Sequence, residues 1–318
     1  DYWKRHAEVE QQPEAVAARE AMFQSLEAYH NNDHITAMEI FLEAARRWKK
    51  VIEKNPDIQY DDAFVSDLSE ITDRYMRILD QLDEVFPEDF ALQDIIRRRV
   101  KRRPEYQIAM EKVAAAQKAS RAGDLGQARS NLEEAFSRFH ELTELVKSLK
   151  LLSDRQTIND MMNAIDLYDA VMVKLGDVFP RNFVLADIIR IQCLHTPELV
   201  AIKRHAAMAN SILTAGVNPA NLAKARAEFE QALPQAAALL KKVPHLARLS
   251  DRRTATELAE LDINYNRLLS TIGESLPADY PLREFHEKVV PILEKEYSEP
   301  AQPETQPSSA TSGSSSKT

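Results

Sequence analysis

The segment at residues 85–97, VFPEDFALQDIIR, returns at residues 178–190 as VFPRNFVLADIIR. A chain that writes one phrase twice is built from like parts, and its fold must give both copies a similar setting. Phe86 and Phe179 lie 93 residues apart, and a weaker third copy, SLPADYPLREFHEKV, puts Leu276-Pro277 a further 97 along. Other landmarks keep step. LSDR at 152–155 recurs at 249–252, Tyr75 aligns with Tyr168 and Tyr265, and ASRAG at 119–123 matches ILTAG at 212–216. The lengthening of the offset from 93 to 97 is accounted for by residues 217–220, inserted after Gly216. An Asn-Pro insertion is what a surface turn accepts. The expected organisation is an N-terminal segment at 1–14, three units at 15–104, 105–197 and 198–297, and a tail at 298–318.

Each unit reads as four helical pieces. Only six glycines occur in 318 residues, too few for the turns of an all-β fold or the phosphate loops of a nucleotide-binding one. In the second unit, YQIAMEKVAAAQKASRAG favours helix and ends at Gly123. Asp124 then caps a helix whose apolar residues Leu132, Phe136, Phe139, Leu142 and Val146 recur at three-to-four spacing. Ser153 with Gln156 reads as a capping box for the third helix, which carries Ile158, Met161, Ile165, Tyr168, Val171 and Leu175. Pro180 is expected to stop that helix. Asp89, Asn182 and Asp279 are then the expected N-caps of a short fourth helix, whose apolar face in the first unit is Phe90, Leu92, Ile95 and Ile96. The repeated phrase thus reads as a corner piece.

The first two helices of each unit carry Ala37-x3-Phe41-x2-Ala44, Ala128-x3-Leu132-x2-Ala135 and Ala225-x3-Phe229-x2-Ala232. Small residues let two antiparallel helices approach while the large one fills the gap to the next pair. This pattern resembles the second half of a tetratricopeptide (TPR) motif, with HNNDH at 30–34 and RAGD at 121–124 where the turn belongs. The period is far longer than the 34 residues of a TPR, so each unit reads as a TPR-like hairpin with two added helices. The resemblance implies an all-α protein: a three-unit TPR-like α-solenoid of antiparallel helix pairs. It also implies a non-enzymatic scaffold or adaptor that holds a protein or peptide against the face lined by first helices. That face would present Arg19, Met22, Leu26, Tyr29 and His30 in the first unit. The second would offer Met110, Val113, Gln117, Ser120 and Arg121, and the third Lys203, Ala206, Asn210, Leu213 and Thr214.

Two alternatives stand beside it. One is a self-assembling structural module that forms homo-oligomers. The other is an anion or nucleic-acid binder working through the basic run Arg97, Arg98, Arg99, Lys101, Arg102 and Arg103. Cations at the C-terminal end of a short helix are also what its dipole favours. The net charge of −9 weighs against broad affinity for nucleic acid. His30, Asp33 and His34 are metal-ligand types, but a turn between the imidazoles spoils a shared geometry, and no metal or cofactor is expected. The aligned tyrosines fit the apolar stripe as core residues with a hydroxyl reaching a partner. Cys193, the single cysteine, stands where the first unit has Val100 and reads as a small buried apolar residue. No P-loop, dinucleotide fingerprint, GxSxG or HExxH motif occurs, and no catalysis is expected.

Tyr2 and Trp3 beside Lys4 and Arg5 are a pairing common next to a membrane segment. The expectation is a membrane-tethered or exported protein if an apolar stretch precedes Asp1, and a cytoplasmic one otherwise. The tail lacks aromatic and large aliphatic residues, and disorder is expected there.

Overall fold

The computed structural model describes residues 7–298. Among them the protein is all-α, with 13 α-helices, three 3-10 turns and no strand, and about 80% of the residues are helical. The expected tether residues Tyr2, Trp3, Lys4 and Arg5, and the tail beyond Ser298, lie outside the described residues. No described helix is long and apolar enough to cross a membrane.

The chain runs α1 (Pro13–His30), α2 (His34–Lys54), a 3-10 turn (Pro56–Tyr60), α3 (Asp62–Leu82) and α4 (Gln93–Lys101). It continues with α5 (Pro104–Arg121), α6 (Leu125–Leu145), a turn (Lys147–Leu151), α7 (Arg155–Leu175) and α8 (Ala186–Leu194). Then come α9 (Pro197–Thr214), α10 (Pro219–Lys242), a turn (Pro244–Arg248), α11 (Arg252–Thr271), α12 (Arg283–Lys288) and α13 (Val290–Ser298). α1, α5 and α9 each have 18 residues and each begin on a proline, whose missing N–H costs nothing at a helix start. Val9, Val100 and Cys193, each four residues before that proline, are all buried.

Hairpins α1–α2, α5–α6 and α9–α10 pack most closely, because the facing residues are small. Ala37, Ala44, Ala128, Ala135, Ala225 and Ala232 are fully buried, with Phe41, Leu132 and Phe229 beside them. Tyr75, Tyr168 and Tyr265 are buried too, and the last two donate to Glu133 (2.9 Å) and Glu230 (3.3 Å). Tyr75 instead stacks on Phe41 at 4.2 Å. Cys193 is buried, and that burial pushes its thiol up to about 12.

The two kinds of repeated segment, VFPEDFALQDIIR and LSDR, meet each other. The Phe86 N–H donates to the Leu151 carbonyl (3.0 Å), and Arg155 returns a bond to the Phe86 carbonyl (2.9 Å). At the other end of the phrase, Arg97 donates to Asp154 (3.1 Å), a fully buried carboxylate that also caps α7. LSDR at 152–155 thus grips VFPEDFALQDIIR at both ends. The second copies repeat the grip at the phenylalanine end. Phe179 N–H donates to the Arg248 carbonyl (2.9 Å), while Arg252 donates to the Phe179 (3.0 Å) and Pro180 (2.9 Å) carbonyls. Arg190 pairs with Glu257 at 3.5 Å, and its charge opposes the upward push that burial exerts on Asp251. Burying each phenylalanine contributes roughly 2–3 kcal/mol. In the third copy Glu287 stands where Arg97 and Arg190 stand, and the Pro277 carbonyl accepts from Arg283 of the same copy (2.6 Å).

Several local expectations are corrected. Asp154, not Ser153, caps α7 and accepts from the Gln156 N–H, while Ser153 donates to Ser148. Pro180 does not stop α7, which ends at Gly176 with φ 73°. Asp83 (φ 55°) and Gly273 (φ 77°) hold the matching places. In each case the following N–H reaches back to close the helix: Glu84 to Leu79, Asp177 to Met172, Glu274 to Leu269. The short helices start at Gln93, Ala186 and Arg283, four residues after Asp89, Asn182 and Asp279, which cap nothing there. Successive tight turns, such as Phe90 N–H to Pro87 carbonyl, occupy the interval. The inserted residues form a helix start: Asn218 caps α10 by accepting from the Asn221 N–H (3.0 Å).

Candidate protein-binding site

A cleft of about 450 Å3 opens between α1 and α3, lined by Leu26, Tyr29, His30, Asp73, Arg74, Arg77 and Ile78. Local rules put the α1 side in place. Asn32 takes a left-handed conformation (φ 60°), and Asp33 caps α2 by accepting from the Thr36 N–H (3.1 Å). The chain therefore reverses just after His30. Leu26 and Tyr29, three apart and on one face, are half-buried, with the Tyr29 ring 5.2 Å from His34 and 6.0 Å from His30. On α3, Ile78 is buried as the floor, while Asp73, Arg74 and Arg77 reach the exposed rim. The lining combines an apolar floor of three side chains with two guanidinium groups and one carboxylate, of which Asp73 and Arg74 already have interactions within the chain.

Of the fifteen residues expected on a binding face, the structure brings three into this cleft: Leu26, Tyr29 and His30. Met22 and Val113 are core residues, 7% and 6% exposed, and present almost nothing to a partner. Arg19 is exposed, paired with Glu10, and 6.0 Å from the Trp48 ring. Met110, Ser120, Ala206 and Leu213 are half-buried, whereas Gln117, Arg121, Asn210 and Thr214 are exposed. Lys203 is engaged with Glu257 (3.2 Å). Asp73, Arg74, Arg77 and Ile78 come from a third helix that the first-helix pattern does not reach. Their signal is the run Asp73-Arg74-x2-Arg77-Ile78, one helical turn of paired charge beside an apolar position.

A second cleft, about 590 Å3, lies between α11 and α13 and includes Ile263, Leu293 and Tyr297 with Glu260 and Glu294. Its charge is opposite in sign to the α1–α3 cleft. The basic run does not form one surface. Arg97 pairs with Asp94 and Asp154, Arg98 lies over the Tyr60 ring at 5.6 Å, and Arg99 and Arg103 are half-buried. Lys101 and Arg102 are exposed. Among the described residues no three His, Cys, Asp or Glu side chains are placed to hold a metal ion.

No family model matches the chain, and neither the curated proteins nor the solved structures contain a match.

Proposed function

We propose that the chain is a TPR-like array of three units, 15–104, 105–197 and 198–297, that serves as a non-enzymatic scaffold for a protein partner. Support for the array comes from the joint built twice from matching positions, Phe86 with Leu151 and Arg155, then Phe179 with Arg248 and Arg252. The last corner is closed from within by Arg283, which favours an array that ends in its own chain over one that continues into a second copy.

The observation that carries the binding function is the α1–α3 cleft, with an apolar floor and Arg77 on its rim. It suits an extended or helical segment that offers an apolar side chain next to a carboxylate. The test is affinity capture from native lysate, with nuclease present, using the full chain and a Leu26→Glu/Arg77→Glu variant of equal helicity. A protein held by the parent and lost by the variant is the expected result. Equal retention by both would overturn the cleft as the binding site, and retention of nothing but further copies of the chain would overturn the scaffold reading.

A further inference from the structure

We propose that the joint between the second and third units is an acid-sensitive hinge, built by Asp169, His245 and Arg248, and that the joint between the first and second units is not. This goes beyond the scaffold reading and rests on the joint geometry together with the burial of His245.

The two joints share their main-chain contacts, and three of the exchanges between them bring in charge or a titratable group. Where the first has Met76, Ser148 and Leu151, the second has Asp169, His245 and Arg248. All three neutral positions have become titratable or charged, and all three meet. Arg248 holds both oxygens of Asp169 (2.6 and 3.1 Å), joining the turn Pro244–Arg248 to α7. The carbonyl of the same Arg248 accepts the Phe179 N–H across the joint. His245 is 1% exposed, with Nδ1 2.6 Å from Ser250 Oγ and its ring 6.2 Å from the Phe179 ring. In the first joint a Ser153–Ser148 hydroxyl bond does the same local work without a titrating group.

A second proton on the imidazole is poorly accommodated there. Burial is the main reason, and it pushes His245 down to about 4; Asp169 on α7 opposes the shift, and Arg248 in the same turn adds to it. The nearest following carboxyl, the α11 cap Asp251, is pushed up by burial and so works with the opposite sign. A histidine depressed in the closed joint and ordinary in the open one binds the proton preferentially when open. Opening therefore grows as the pH falls from the ordinary value of 6.5 towards about 4. From pH 7.5 to 5.5 those two values give about a tenfold rise in the open fraction.

The joint supplies its own probe and control. The Phe179 amide donates to Arg248 across the second joint (2.9 Å), and the Phe86 amide donates to Leu151 across the first (3.0 Å). Hydrogen exchange of both is measured on the full chain at the two pH values and corrected for intrinsic exchange. The expected result is about a tenfold loss of protection at Phe179 with Phe86 unchanged, and no acid-driven loss at Phe179 in His245→Ser. Unchanged protection at Phe179 would overturn the proposal. So would an equal loss at Phe86, which would mean general loosening, or a response that survives in His245→Ser. If that variant does not fold, the two amides of the unaltered chain decide alone.

Discussion

Phe179→Ala removes the side chain around which the second joint is packed. The ring is fully buried, in edge contact with Tyr168 (5.1 Å) and Phe183 (4.9 Å) and tilted against His245 (6.2 Å). Its neighbours lie on α7, on the corner itself and in the turn Pro244–Arg248, so the void cannot close without moving these elements against one another. Truncation of so enclosed a phenylalanine costs about 3–5 kcal/mol. Phe179→Leu, which installs the residue found at position 276, should cost less than about 1.5 kcal/mol. Leu276 is only half-buried, so Leu276→Ala should cost only about 1 kcal/mol. Urea titrations followed by circular dichroism measure all three differences. If Phe179→Ala costs under about 1.5 kcal/mol, or Leu276→Ala costs as much as Phe179→Ala, the phrase is not a joint and the reasoning fails.

Two further outcomes follow from backbone geometry. Asp83 has φ 55° where the matching helices end on Gly176 and Gly273, so Asp83→Gly should raise stability by about 0.5–1 kcal/mol in the same titration. Pro234 sits exposed inside α10, where it removes a backbone hydrogen bond, and Pro234→Ala should raise stability by roughly 1–3 kcal/mol, read as a higher unfolding midpoint.

The helices were legible because each carries its own evidence: apolar residues at three-to-four spacing, Asp33 and Asp124 at the starts, Gly123 after an end. Single-residue placement was less so. Ser153 and Asp154 are both good caps, and only the buried pocket that holds the carboxylate against Arg97 decides between them. The work of LSDR was not legible, since its partners lie 57 and 69 residues away, Asp154 to Arg97 and Arg155 to Phe86. Its absence from the first unit, and the loss of the phrase-ending arginine at Glu287 in the third, make sense only once the pairing is known. The candidate site divides the same way. Leu26, Tyr29 and His30 follow from the first-helix face, but Asp73 and Arg77 join them because α3 lies alongside α1, which is a tertiary fact.

A double-mutant cycle between Arg97 and Asp154 addresses the central claim that the two phrases are halves of one joint. Arg97→Met removes the cation but keeps the aliphatic stem, and Asp154→Asn keeps a capping oxygen while removing the charge. Asp154 is fully buried and Arg97 is 25% exposed at the side chain, so their attraction is little screened. The account gives a coupling of about 1–2 kcal/mol, with the double variant losing less than the sum of the single ones. Additivity within about 0.3 kcal/mol would mean that Arg97 and Asp154 do not hold the units together, and would contradict it.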